Sequence, residues 1–164
     1  MRLSRHFSYL RPHIGQFLNS CKRDRKNVFV IMRYKQADHY IEIENTIRTS
    51  LNRRGLNAHL AKDHQFLPNN LWDNICVYML ACDFGIVVFE EIDNRDFNPN
   101  ISIEIGFMLA LGKECLLLKD KRMPKMPTDI CGHLYRDFDT YNITDTVSNQ
   151  IASWVQDLRT RGLL

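Results

Sequence analysis

Three segments with apolar centres constrain this chain more than any other feature: Asn27–Met32 (NVFVIM), Phe84–Phe89 (FGIVVF) and Glu114–Lys119 (ECLLLK). A strand with one wet face alternates apolar and polar residues, and these runs do not alternate. Each therefore needs cover on both faces. Between the runs lie apolar stripes at helical spacing. Tyr40, Ile43, Ile47 and Leu51 form the first, which stops near Arg53-Arg54-Gly55, where Gly55 suits a C-cap. Leu71, Trp72, Ile75, Tyr78 and Met79 form the second, and an unusually apolar helix is expected over about Asn100–Gly112. Val147, Ile151, Trp154, Val155 and Leu158 form the last, with Thr144 or Asp145 as its cap. Leu56–Ala61 and Leu134–Phe138 read as shorter strands. Alternating strands and helices predict an α/β protein: a three-layer sandwich around a mainly parallel four- or five-stranded sheet with right-handed crossovers.

Charge divides the chain. Residues 1–26 hold seven basic side chains against Asp24 alone, whereas the remaining 138 residues hold 15 basic and 18 acidic ones. The net charge of +3 is thus a property of the N-terminus. We read residues 1–26 as a basic N-terminal helical extension and 27–164 as the α/β domain. In the extension Phe7, Leu10, Ile14, Phe17, Leu18 and Cys21 recur at helical spacing, and Pro12 starts or interrupts the helix. Its charge suits nucleic acid, an anionic surface or an acidic partner, or is simply a solvated leader. No nucleic-acid recognition motif accompanies it. No apolar run approaches the ~18 residues of a membrane span. Five cysteines (21, 76, 82, 115, 131) form no close pair, so a reducing, cytoplasmic setting is expected rather than a disulfide scaffold. With no CxxC, HExxH or clustered Cys/His, no metal site is predicted.

Parallel α/β sheets bind ligands beyond the carboxyl ends of their strands. That directs attention to three loops: Arg33–Asp38, Lys62–Asn70 and Glu90–Asn100. The first has neither GxGxxG nor GxxxxGK[ST], which excludes a standard dinucleotide fingerprint and a P-loop. Arg33 and Lys35 still offer cations for a phosphate or carboxylate, or simply form a solvated turn. In the second loop Asp63 is a candidate for a ribose hydroxyl, with a plain surface loop the alternative. The third leads into NPNISIEIGFMLALGK, where Glu104 is the only carboxylate between Asp96 and Glu114. A carboxylate in or near the first turn of an apolar helix is costly unless it is hydrogen-bonded or functional, and the helix N-terminus should help ionise it. Such a group suits charge stabilisation or attack at a sugar C1 during N-glycosidic cleavage. The alternative is a structural Glu bonded to nearby backbone or to Arg33. Asn98 and Asn100 are a cap or contacts to a ribose or amide, and Gly106 would admit close backbone approach. Asp83 either hydrogen-bonds inside the pocket or sits at the sheet edge. His39 and His133 are weak general-acid candidates, and Ser102 lacks an elbow context, which argues against serine and cysteine hydrolases.

FVIM, ACDFGIVVF and NPNISIEIGFMLALGKECLLL together resemble the bacterial TIR-like predicted nucleotide-binding proteins and the related nucleoside 2-deoxyribosyltransferase superfamily. The resemblance covers about Asn27 to Asp139 and implies a flavodoxin-like sandwich. It implies that Glu104 matches the catalytic glutamate, Asp83 the acid before strand three, and Asn98 and Asn100 the turn that shapes the pocket. Arg33 and Tyr34 stand where the common FVIMPF start has Pro and Phe. The resemblance further implies NAD as substrate, cleaved at the nicotinamide–ribose bond, with no prosthetic group and no metal. Tyr34 or Phe89 would stack on a base, and Arg33 and Lys35 would hold the pyrophosphate. It also implies a role in bacterial antiviral defence, switched on by self-association or an upstream sensor protein. Two other readings stay open: a nucleoside or nucleotide N-glycosidase or deoxyribosyltransferase, and a non-catalytic nucleotide-sensing or assembly module.

Overall fold

The apolar runs form the centre of one five-stranded, all-parallel sheet in the computed structural model, which describes residues 5–92, 98–124 and 135–164. The strands are β1 (Lys26–Ile31), β2 (Leu56–His59), β3 (Phe84–Phe89), β4 (Cys115–Asp120) and β5 (Tyr135–Phe138). Their order is β2-β1-β3-β4-β5, set by pairings such as Lys26 with Leu56, Val28 with Phe84, Gly85 with Cys115 and Leu117 with Tyr135. Helices α2 (Asp38–Asn52), α3 (Leu71–Ala81) and α4 (Pro99–Ala110) connect the first four strands, and α5 (Ile143–Thr160) follows β5. A short 3-10 turn, Arg5–Leu10, and α1 (Arg11–Ser20) precede β1. This is the three-layer arrangement expected from the alternation, and the flavodoxin-like one that the family resemblance implies.

Every residue of β3 is buried, because successive side chains enter different cores. Val28, Val30, Ile86, Val88, Leu116 and Leu118 pack with α2 and α5. Phe29, Ile31, Val87, Phe89 and Leu117 face the opposite layer, made by α1, α3 and α4. Each such side chain contributes about 1.5–3 kcal/mol on burial. The N-terminal segment joins this second layer: Leu10, Ile14 and Phe17 are buried there, while Leu18 points outward. Pro12 lies in the first turn of α1, where its missing N–H is not needed.

Three strands differ from the sequence reading. β4 runs one residue later than expected, at Cys115–Asp120. β1 is shifted back by one residue and β2 ends at His59, because the chain turns at Leu60, whose N–H donates to Asp63 Oδ2 at 2.8 Å. The α3 stripe also differs. Cys76, Val77, Tyr78, Met79 and Leu80 are buried, but Leu71 and Trp72 are 72% and 42% exposed. Both stand in the first turn of the helix and line a cleft.

α4 closes with Gly112 at φ +70°. The Gly112 N–H donates to Leu109 O and the Lys113 N–H to Met108 O, the paired bonds of a Schellman cap. The Lys113 ammonium then reaches across to α3 and donates to the carbonyls of Met79, Leu80 and Cys82. Burial pushes the pKa of this amine down. Gly85 is the glycine that packing demands: a Cβ there would lie 2.7 Å from Cys115 Sγ and 3.2 Å from Met108 Cε. Gly106, expected to admit close approach, has open space beside it. The cysteines at 21, 76, 82 and 115 are free, and Cys131 and His133 lie outside the described residues. Among the described residues no helix is long and apolar enough to cross a membrane.

Candidate active site

The chain reverses its direction of travel across the sheet between β1 and β3, and a cleft opens there beyond the strands' carboxyl ends, as this topology dictates. Its volume is about 310 Å³. Met32, Arg33 and Tyr34 line it from the end of β1, Ala61 and Lys62 from the end of β2, and Leu71 and Ile75 from α3. Asn98, Asn100, Ile101 and Glu104 line it from the start of α4. A second cleft of about 290 Å³ adjoins it, walled by Leu71, Trp72, Ile75, Ile103, Asn100 and Glu104. Glu104 therefore stands at the seam between a polar compartment and an apolar one.

Its position on α4 explains its chemistry. The helix begins at Pro99, with Asn98 as N-cap accepting the Asn100 N–H at 3.2 Å. Glu104 consequently falls in the second turn, not the first, and lies past the reach of the helix-end charge. Ile101, Ile105 and Met108 turn toward the core while Glu104 is half-buried above them. No hydrogen bond or ion pair from a described residue reaches its carboxylate. Burial alone raises its pKa from 4.5 to about 7. The expectation that the helix N-terminus keeps it ionised is thus corrected, since desolvation dominates.

The expected alternative partner, Arg33, is engaged elsewhere. Its Nε lies 3.1 Å from Oε1 of Glu90, whose side chain is almost wholly buried. Glu90 Oε2 also accepts the Tyr40 hydroxyl at 2.8 Å and the Ile92 N–H at 2.9 Å. This network anchors Arg33 on the cleft wall. Tyr34 is 44% exposed; its hydroxyl accepts the Ala61 N–H at 3.4 Å, and Lys62 Nζ lies 5.6 Å from its ring centre. Burial, with the charge of Glu104 among the further causes, pushes the phenol's pKa up. Lys62 also pairs with Glu44.

Of the sequence candidates, the structure brings Arg33, Tyr34, Asn98, Asn100 and Glu104 together. Four lie apart. Lys35 places its ammonium 5.7 Å from the Tyr40 ring centre and does not line the cleft. Asp63 accepts from Arg48 Nη2 at 2.5 Å and from the Leu60 N–H, so it shapes the turn after β2. Asp83 accepts the Asn27 N–H at 2.8 Å and faces Lys26 at the opposite edge of the sheet. A six-residue strand, about 20 Å, separates it from the cleft. Phe89 is fully buried beneath α4. His39 packs its ring on Tyr40 rather than in the cleft.

Several contributors were invisible to motif reasoning. Lys62 was one polar residue among four in its loop. The loop is pinned by α3: the Tyr78 hydroxyl donates to His64 O at 2.9 Å, and Asn74 Oδ1 accepts the Phe66 N–H at 2.7 Å. Leu71, Trp72 and Ile75 passed for core because their helical spacing is that of a buried stripe. Two adjacent large apolar residues opening a helix were the available signal.

A parallel sheet of order 2-1-3-4-5 flanked by helices on both faces defines a flavodoxin-like α/β protein, with a cleft at its switch point. The chain belongs to the family described as the TIR domain of CAP12/Pycsar effector proteins, whose model matches residues 27–140. No curated protein matches it. Among solved structures it is similar to the TIR domain of a Toll-related receptor from Hydra magnipapillata, with 17% identity and a TM-score of 0.57 over 80% of this chain and 97% of that one. It is similar to the CMP N-glycosidase BcmB of Clostridium botulinum, with 20% identity and a TM-score of 0.56 over 77% and 99%. A 2-desoxiribosyltransferase from Leishmania mexicana gives 20% identity and a TM-score of 0.48 over 57% of this chain and 64% of that one. At these identities the likeness to the Hydra and Clostridium structures is one of fold.

Proposed function

We propose that this protein is an NAD-cleaving N-glycosidase and that Glu104 is its catalytic carboxylate. One observation carries the reading. Glu104 is a half-buried carboxylate with no partner among the described residues, at the seam of two clefts over the sheet's switch point. Membership of a TIR-domain family supports the choice of NAD. The bond between ribose C1′ and the nicotinamide nitrogen breaks heterolytically, and its electron pair neutralises the cationic ring. The leaving group needs no proton. Positive charge develops on the ribose, and an ionised Glu104 stabilises it or bonds to C1′. Water then supplies the oxygen at C1′ and loses its proton to the carboxylate or solvent. Arg33, Lys62, Asn98 and Asn100 offer the polar contacts for ribose and phosphate. NAD is a substrate here and no prosthetic group is invoked. Self-association or an upstream sensor as the activating partner, and a place in antiviral defence, are part of the same proposal.

The test is to incubate concentrated protein with NAD, NMN, CMP and deoxynucleosides and to follow the free base by chromatography. Nicotinamide release is expected, lowered at least 100-fold by Glu104→Gln. Because the working form is the anion, kcat/KM should increase tenfold per unit below pH 7 and level off above it. Turnover by Glu104→Gln equal to wild type would remove Glu104 from the chemistry. Release of cytosine or a deoxynucleoside base in place of nicotinamide would move the protein to the nucleotide N-glycosidases or deoxyribosyltransferases. A neutral base leaves only when protonated, so that profile should fall above pH 7. Binding with no turnover at any concentration would mark a sensing or assembly module.

A further inference from the structure

We propose that the apolar compartment beside Glu104 seats the cationic pyridinium ring of the dinucleotide, with Trp72 as its specificity-determining wall; this rests on the NAD-glycosidase reading and names the leaving-group side of that site. Leu71, Trp72 and Ile103 are 72%, 42% and 58% exposed, and all three converge on one cleft. Large apolar side chains gathered in a concave site mark a binding surface. The cleft's about 290 Å³ is at the lower limit of ligand pockets, which run about 300–1,000 Å³. It has room for one ring and its substituent, not for a dinucleotide. The remaining ribose and phosphates fall to the polar compartment across Glu104.

Charge selects the occupant. Only Asn100 and Glu104 among the lining side chains are polar. An anionic carboxylate next to an indole favours a flat cation, through the carboxylate's charge and the ring's electron-rich face. The Asn100 side-chain amide, which makes no hydrogen bond with the described residues, is free to pair with a carboxamide. Once the glycosidic bond breaks, the ring becomes neutral and both attractions weaken, so the same wall that holds the substrate releases the product.

Trp72 is held in place for this. Phe107 meets it edge-on at 6.1 Å, and Phe7 of the N-terminal turn meets Phe107 edge-on at 5.4 Å. The next residue, Asp73, is bonded by the Tyr9 hydroxyl at 2.7 Å and by Asn70 Nδ2 at 2.7 Å. Helix α3 is therefore braced on both sides of the indole.

Trp72 is one of two tryptophans, and Trp154 is buried against Phe84. Fluorescence of the full chain should thus report on this wall. The probes are 1-methylnicotinamide, which is cationic and has no glycosidic bond, and neutral nicotinamide. Saturable quenching is expected, with at least threefold tighter binding of the cation, and Glu104→Gln should abolish that preference. With NAD, Trp72→Ala should raise KM about tenfold with kcat changed less than threefold, and Trp72→Phe should restore most of the loss. Cleavage of NAD with an unaltered KM in Trp72→Ala overturns this subsite and leaves the glycosidase reading intact. So does an equal fall in kcat and thermal stability that Phe does not rescue. Cation-selective quenching in a protein that never cleaves NAD supports the ring-binding wall and removes the enzymatic reading.

Discussion

Glu104 and Glu90 are two carboxylates with opposite fates. Glu90 is buried deeper but meets Arg33, Tyr40 and a backbone N–H. Glu104 is less buried and meets no described partner. Its pKa near 7 makes stability depend on pH. The folded chain keeps a proton that the unfolded chain sheds above about 4.5, so this contribution is complete below pH 4.5 and is lost as pH rises to 7. Glu104→Gln should therefore be about 2 kcal/mol more stable than wild type at pH 8, allowing for partial solvent screening, and nearly equal at pH 4. Denaturant midpoints at the two pH values check this. Glu90→Ala should cost about 3 kcal/mol in the same measurement, because it removes the buried carboxylate that pairs with Arg33 and accepts from the Tyr40 hydroxyl and the Ile92 N–H. Motif reasoning singled out Glu104 because a lone acid in an apolar helix is a local anomaly. It could not single out Glu90, since an acid in an acidic loop looks ordinary until its partners from the loop after β1 and from α2 arrive from elsewhere in the chain.

At the level of elements, the ends of helices do much of the positioning. The Gly112-Lys113 pair closes α4 and also satisfies the last carbonyls of α3, locking together the two helices that flank the cleft. Their spacing over β3 depends on Gly85, where a methyl group would collide with Cys115 Sγ. Gly85→Ala should cost about 1–3 kcal/mol through overpacking. Adding Cys115→Ala should return part of that loss, and a double-mutant cycle by thermal unfolding measures the coupling. Periodicity made the helices and central strands legible because the pattern of burial is written into neighbouring residues. It misplaced Leu71 and Trp72, because a stripe records which residues share a face and not what lies opposite.

For the whole molecule, the basic N-terminus and the α/β sheet share one core. Leu10, Ile14 and Phe17 are buried against the layer that carries α3 and α4. Removing residues 1–20 should cost about 5 kcal/mol, from three apolar side chains at about 1.5–3 kcal/mol each, a large part of a domain's usual 5–15 kcal/mol. A chain starting at Cys21 should show a sharply lower Tm in calorimetry and added binding of a hydrophobic dye. From sequence alone came the α/β class, the parallel sheet, the family resemblance and Glu104 as the residue to watch, because each depends on composition and spacing within a few consecutive turns or strands. The tertiary structure decided which candidates meet. It set Asp83 a strand's length from Glu104, drew Arg33 to Glu90 and turned Trp72 toward the cleft. These are contacts between residues tens of positions apart, and strand order and helix packing determine them.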